Sequence, residues 1–542
     1  MTTGMAQAEF EHVRARREGG GAGRMGVWAP YVLALFFALW GLRGVSRTDV
    51  VYADAARHAM NGVFVYDMVR GGHITHPIAY AMEYYGHLPS LSMPYHPPLF
   101  PVLESVFFAV FGVKLLSARL AVACAVGICT VLLYRLVQAT LGNDALAACV
   151  TVTMLSLRYA QIVAGEVMLE FPAMAFALAA LYCLRDMEQD FPLGRALLFT
   201  AFAAAAVWTK QTTVFLGAVP VICALFARRR ILLRRKEIWI SLALFGTAAI
   251  GLAALSLPFG NAGVNLLAKP QPQYTRWIFL STIPFYCQWS ARHLIGLPGV
   301  FAACSIAAYA WAAYTRGWQK LGLNLYIAWI VSVCAVLLVL RDHEPRYLFF
   351  VFPALIVVGY ALLFQGCSHL WGERRAWYVP AGFAVAWFAV GLHFQPLFLR
   401  GPGEAAALVM HGAPVRVVYA GELGGNFTFS VRSLDPKLQS TVILGMKLPD
   451  DTFEPVAFET FCRKYGVNWI ALEEGPETYP WYGLFKAPAT SMKMERSIPL
   501  ECYLCDQSGK INLYRFTAPG APSGEVLEIP IKKIRGTIKV KL

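Results

Sequence analysis

The sequence predicts an all-α polytopic membrane bundle followed by a small C-terminal α/β domain. Three observations predict it. Of 542 residues, 57% are hydrophobic and only 15% charged, against about a quarter charged in a soluble globular protein, and mean hydropathy is +0.50. The apolar residues fall in runs, and a hydrocarbon core about 30 Å thick takes about 20 of them as a helix. After Pro402 the pattern changes to short β-branched runs closed by turn residues. An all-soluble enzyme is excluded, as are collagenous, disordered and small disulfide-stapled chains.

Residues 1–26 form a Gly- and Arg-rich tail expected to be disordered. The membrane domain, 27–395, contains about eleven apolar spans, at 27–45, 116–137, 145–164, 171–184, 196–209, 213–227, 238–257, 294–314, 321–340, 348–364 and 376–393. Backbone groups in lipid must be paired within the segment, so these runs are read as helices. The first has no small-residue cleavage site after a short apolar core, which makes it an uncleaved anchor. Between the first two spans, the loop 46–115 holds two helices that lie on the membrane. In one, at 49–62, Asp49, Tyr52, Ala53, Ala56 and Met60 recur at helical spacing. The other, at 98–112, is too short to cross. In the domain 396–542, strands are expected at 415–420, 467–472 and 510–516 and a helix at 452–465.

The net charge of +14 would suit a nucleic-acid partner, but its distribution points elsewhere. Arg14, Arg16 and Arg17 precede the first apolar run, and Arg185 with Arg195, the basic cluster at 228–236, Arg316 with Lys320, and Arg374 with Arg375 lie between later ones. With the N-terminus cytoplasmic, every one of these groups falls inside, as the positive-inside rule requires. An odd number of spans then puts the 46–115 loop and the C-terminal domain on the outer face of the cytoplasmic membrane. Counting 98–112 as a span would invert the basic cluster. Seven cysteines (Cys124, Cys129, Cys149, Cys183, Cys223, Cys304 and Cys334) sit in spans as small hydrophobes. Cys462, Cys502 and Cys505 leave room for one disulfide in the outer domain. Asn426 heads a glycosylation sequon by pattern only.

Ionisable groups at a span's mouth are costly and therefore candidates for function. Asp49 and Asp54, His96, Glu166 and Glu170, and the run from Arg341 through Glu344 and Arg346 to Tyr347 all fall on the outer face, and Arg57 and Lys210 complete the set. Each has a structural alternative. Asp49 and Glu170 stand where helix caps would, Lys210 can snorkel to headgroups, and Arg341, Arg346 and Tyr347 can anchor span ends. His96 can be an interfacial histidine beside a rigid Pro-Pro turn.

Taken together the inventory suits glycosyl transfer from a lipid phosphate. A carboxylate removes the acceptor proton while Lys, Arg, His or a metal stabilises the leaving phosphate. No Gly-rich loop between strand and helix offers a nucleotide-binding site, which disfavours a soluble nucleotide-sugar donor. The rival class is a polytopic transporter or flippase of lipid-linked glycans, whose key polar groups would lie nearer mid-membrane.

The motifs Asp49-Val50-Val51-Tyr52-Ala53, His96-Pro97-Pro98-Leu99, Ser117-Ala118-Arg119-Leu120, Glu170-Phe171-Pro172, Thr209-Lys210-Gln211 and Arg346-Tyr347 occur in that order. In this the chain resembles the GT-C superfamily of integral membrane glycosyltransferases, in the branch similar to the lipid A aminoarabinose transferase and the protein O-mannosyltransferases. The resemblance implies a polyprenyl-phosphate-linked sugar as donor and a lipid, glycan or protein as acceptor. It implies Asp49 and Glu170 as catalytic acidic positions, with Asp49 the base, and His96, Lys210, Arg346 and Tyr347 on the donor phosphate. Asp54, Arg57, Glu166, Arg341 and Glu344 are further site candidates. A divalent metal is left open, with Asp49, His96 and Glu170 as its ligands. Val50 stands where relatives carry a Glu, which leaves Asp54 to take part of that role.

Overall fold

Among the described residues, helices make up most of the chain between Arg24 and Leu392, and a mixed sheet follows. The computed structural model describes residues 24–226, 230–257, 285–286, 322–340, 343–412, 414–503, 509–518, 526–531 and 536–541. Helix α1 (Arg24–Gly41) leads to α2 (Ala53–Arg70), α3 (Pro77–His87) and α4 (Leu99–Phe111) in the 46–115 loop. Then come α5 (Leu115–Leu141), α6 (Asp144–Ser156), α7 (Arg158–Ala164), α8 (Glu170–Leu184), α9 (Leu193–Thr209), α10 (Val219–Phe226) and α11 (Lys236–Ser256). The bundle continues with α12 (Asn324–Val339), α13 (Phe352–Trp371) and α14 (Tyr378–Leu392).

Local sequence explains the boundaries. Gly142, at φ 65°, closes α5 in the left-handed conformation, and Gly112 closes α4 at φ 78°, where a side chain would be strained. Asn143 starts α6 by accepting the Leu146 N–H at 3.0 Å. Pro353 sits in the first turn of α13, where its missing N–H costs nothing. Four described helices are long and apolar enough to cross a membrane, and a fifth span results if α6 and α7 count as one. The expected single span at 145–164 is in fact broken: α6 and α7 meet at 70° at Leu157, whose backbone is extended. The expected span at 294–314 lies outside the described residues. Helix α8 is buried along almost its whole length between α5 and α9. By contrast α1 and α11 expose Trp28, Val32, Leu35, Trp239 and Ile250, an apolar surface suited to lipid rather than water.

In the C-terminal domain, β1 (Phe398–Arg400) is followed by α15 (Pro402–Val409), β2 (Arg416–Ala420), α16 (Gly424–Leu434), β3 (Thr441–Leu444), α17 (Pro455–Lys464), β4 (Trp469–Glu473), β5 (Met492–Tyr503) and β6 (Gly509–Phe516). The six strands run in the order β1-β5-β6-β4-β2-β3. Strand β2 pairs parallel with β3 and β4, and the remaining pairs are antiparallel. Parallel neighbours need a crossover, which α16 and α17 supply. Strands β7 (Val526–Ile531) and β8 (Gly536–Lys541) form a separate hairpin.

This domain is fastened to α2. Arg432 of α16 and Asp67 of α2 form an ion pair with both side chains 2% exposed, and the Tyr84 hydroxyl donates to the same carboxylate at 2.9 Å. Asn426 donates to the Val50 carbonyl and is buried, so the sequon is closed to glycosylation. Cys502 is disulfide-bonded and Cys462 is free in the domain core. Cys505 lies outside the described residues.

Candidate active site

The break in the chain at 165–169 places two glutamates differently. Helix α8 begins at Glu170 itself, with Leu169 as its cap, so the Glu170 side chain is not spent on capping. It reaches the ammonium of Lys210, just past the end of α9, at 2.7 Å, with Glu170 wholly buried and Lys210 13% exposed. The second Glu170 oxygen has no hydrogen-bond partner among the described residues. Glu166 faces another way. It accepts from Arg119 at 2.6 Å and from the Val51 N–H at 3.3 Å, tying α5 to the start of α2.

The two aspartates divide in the same manner. Asp54, in the first turn of α2, pairs with Arg346 at 2.9 Å and with Arg57 at 3.1 Å. Arg346 also meets Glu344 at 3.4 Å, and its field is felt at both Glu170 and Lys210. Asp49 does not cap its own following helix, which has Tyr52 at its cap. Its carboxylate instead accepts the Gly403 N–H at 2.8 Å at the start of α15, while its own N–H donates to Leu399 at 2.7 Å. Gly403 must be glycine for this approach, because an added Cβ would lie 2.2 Å from the carboxylate.

One turn beyond Asp54, His58 stands 3% exposed with Nδ1 unpartnered among the described residues. Its ring centroid is 4.8 Å from that of His96. Gln211, next to Lys210, donates to the Tyr95 carbonyl at 3.3 Å and holds the His96 loop beside the cluster. Tyr347 is buried, with the Arg346 guanidinium 5.8 Å from its ring centroid. Asp54, His58, His96, Glu170, Lys210, Glu344 and Arg346 therefore gather at one end of the bundle, on the side that α2 shares with the C-terminal domain. Arg341 lies outside the described residues.

Electrostatics follow burial and pairing. For Asp54, burial favours the neutral form, but the facing His58 imidazole, the Arg346 charge and the Arg346 hydrogen bond hold the carboxyl below the ordinary aspartate range. Burial pushes the His58 imidazole well below the histidine range, and His96 adds to the effect. Burial likewise lowers Lys210, against the pull of Glu170. Asp49 moves upward because desolvation outweighs its backbone hydrogen bonds from Gly403 and Gly401.

A family model described as dolichyl-phosphate-mannose-protein mannosyltransferase matches residues 95–255, a stretch that includes His96, Glu166, Glu170 and Lys210. The crystal structure of ArnT from Cupriavidus metallidurans bound to undecaprenyl phosphate matches with a TM-score of 0.59 at 16% identity, over 92% of this chain and 100% of that one. The chain has the GT-C fold. The apo form of the same ArnT matches with a TM-score of 0.59 at 14% identity, over 90% of this chain and 98% of that one. No curated protein matches the sequence.

Within this GT-C fold, two of the three residues named as ligands for a divalent metal have other partners. Asp49 is held by Gly403 and Glu170 by Lys210, and among the described residues no three His, Cys, Asp or Glu side chains are placed to hold an ion. The donor set does not fit a metal, and positive charge at the cluster comes from Lys210 and Arg346. The sequence reading missed His58 as a site residue and Arg119 as the partner of Glu166. His58 was within reach, since positions four apart share a helix face with Asp54.

Proposed function

We propose that this protein is a membrane glycosyltransferase. It moves a sugar from a polyprenyl-phosphate donor to a hydroxyl or phosphate of a lipid, glycan or protein acceptor at the outer face of the cytoplasmic membrane. About eleven spans, a cytoplasmic N-terminus and an outer C-terminal domain complete the proposed topology. The observation that carries the reading is the cluster in which Glu170–Lys210 and Asp54–Arg346 converge from four separate chain segments. ArnT, which shares the fold, binds undecaprenyl phosphate, and the matching family model is one of mannosyltransferases that use a lipid phosphate.

In this proposal Lys210 and Arg346 receive the donor phosphate, with His96 and Tyr347 beside them, and Asp54 is the base. The acceptor O–H proton passes to Asp54 as the acceptor oxygen bonds to the sugar carbon. The bond from that carbon to the phosphate oxygen breaks, and polyprenyl phosphate leaves with its charge compensated by the two cations. Arg346 couples the steps: turning toward the phosphate weakens its hold on Asp54, which raises the basicity of that carboxylate. The free oxygen of Glu170 accepts a hydrogen bond from a substrate hydroxyl while the other keeps Lys210 in place. Asp49 is assigned to holding the C-terminal domain against α2.

The test incubates the purified protein in vesicles with a panel of polyprenyl-phosphate sugars and membrane acceptors, following donor loss by mass spectrometry. The proposal expects one donor to be consumed with release of polyprenyl phosphate, and Lys210→Ala to slow this by about 10²–10³-fold. Transbilayer movement of the lipid without donor consumption would instead favour a flippase.

A further inference from the structure

A small cleft, open to solvent, lies beside the end of α1 and is lined by Trp40, Arg43, Arg158, Gln161, Glu166 and Phe394, among others. Its charges do not cancel. Glu166 is already neutralised by Arg119 at 2.6 Å, with both side chains 1% exposed. Arg43 has only neutral partners: its Nη2 donates to Gln161 Oε1 at 3.0 Å, its Nε donates to the Trp40 carbonyl at 3.1 Å, and it stacks 3.6 Å from the Trp40 ring centroid. Arg158, exposed, has its guanidinium 5.8 Å from the Phe394 ring centroid. Among the described residues neither arginine has an acidic partner.

Gln161 makes the cavity a constructed site. Its carbonyl oxygen accepts from both Trp40 and Arg43, and its amide donates to the carbonyls of Ser156 and Gly391 at 3.2 and 3.1 Å. The break between α6 and α7 thereby fixes the Arg43 guanidinium in place. The wall leading to the cavity is aromatic, with Phe36 and Trp40 of α1 against Phe388 of α14. That wall continues into the exposed apolar face of α1, including Leu35 and Leu39.

We propose that this cavity binds the phosphate of an anionic bilayer phospholipid, a site separate from the catalytic cluster. Two arginines with no acidic partner among the described residues match one phosphate, since guanidinium groups present paired donors to phosphate oxygens. The apolar face of α1 offers a course for the acyl chains. Arg43 is pre-set by Gln161 and Trp40, so binding gives up little side-chain freedom. The headgroup sits against Glu166, whose carboxylate also holds the Val51 N–H at the entry to α2. Occupancy of the cavity therefore steadies the segment that carries Asp54.

The test is native mass spectrometry of the full chain with added phosphatidylglycerol, diacylglycerol or inorganic phosphate. The proposal expects one phosphatidylglycerol to survive activation that strips the others, and no retained diacylglycerol. It expects millimolar inorganic phosphate to leave the bound lipid in place. Arg43→Gln/Arg158→Gln should lose the retained lipid. Arg158→Gln alone, which removes no hydrogen bond among the described residues and so spares the fold, should weaken retention about tenfold. Equal retention in wild type and both variants, or equal retention of diacylglycerol, would overturn the proposal. Displacement of the lipid by inorganic phosphate would overturn the lipid as the source of the phosphate.

Discussion

Asp49 and Asp54 lie five residues apart, and Glu166 and Glu170 four apart, yet within each pair the members meet different partners. Asp49 accepts from the Gly403 backbone N–H, and Glu166 accepts from the Val51 N–H and from Arg119, in an ion pair with both side chains 1% exposed. Asp54 and Glu170 face the side-chain cations Arg346 and Lys210. A carboxylate tied to backbone cannot release its partner without moving a chain segment. One tied to a partly exposed cation, as Lys210 and Arg346 are and the buried Arg119 is not, can exchange it for a substrate phosphate. This difference separates the joint that holds the C-terminal domain on α2 from the cluster proposed to do chemistry.

The contrast can be attacked from either side. The largest effect is expected at the cluster, where Arg346→Gln should lower donor consumption by about 10³-fold with the fold retained. A donor-consumption assay beside a thermal melt separates the two effects. Glu170→Gln keeps the shape of the side chain but weakens its hold on Lys210, and turnover should fall by about 10²-fold. Its neighbour behaves oppositely. Glu166→Gln leaves Arg119 buried without its counter-ion, which costs about 3–5 kcal/mol. The melting temperature should drop while turnover per folded molecule persists.

Smaller still is the pH dependence, which differs in sign between the aspartates. The Asp54 carboxyl is held below its unfolded value, about 3.9. Its contribution to stability is therefore complete above that value and is lost as pH falls through the depressed one. Asp49 is raised, so its contribution is complete below the unfolded value and is lost as pH rises through the elevated one. Melting temperatures of the two Asp→Asn variants across the acid range should show these opposite slopes removed one at a time. Identical profiles would break the contrast.

Legibility from sequence followed the range of the forces involved. The span expected at 116–137 lies within α5, and the strand expected at 415–420 nearly coincides with β2, because apolar runs and β-branched patterns are local signals. The bend at Leu157 carries no Pro or Gly at the break, and only the packed chain reveals it. Lys210 was recognisable as a candidate from its place at a span's mouth, but its pairing with Glu170 spans 40 residues of sequence. The direction of the Asp49 side chain was invisible, since its partner Gly403 is 354 residues away. Asp54 and His58 were readable as one helical face, whereas the charge that Arg346 brings to them arrives from 292 residues further along.

The central claim is that chemistry belongs to the Asp54 side of the loop and domain attachment to the Asp49 side. The most direct test compares Asp54→Asn with Asp49→Asn for donor consumption by folded, membrane-inserted protein. Asp54→Asn is predicted to lose about 10²–10⁴-fold while Asp49→Asn stays near wild type. Near-normal turnover in Asp54→Asn together with loss in Asp49→Asn would contradict the account.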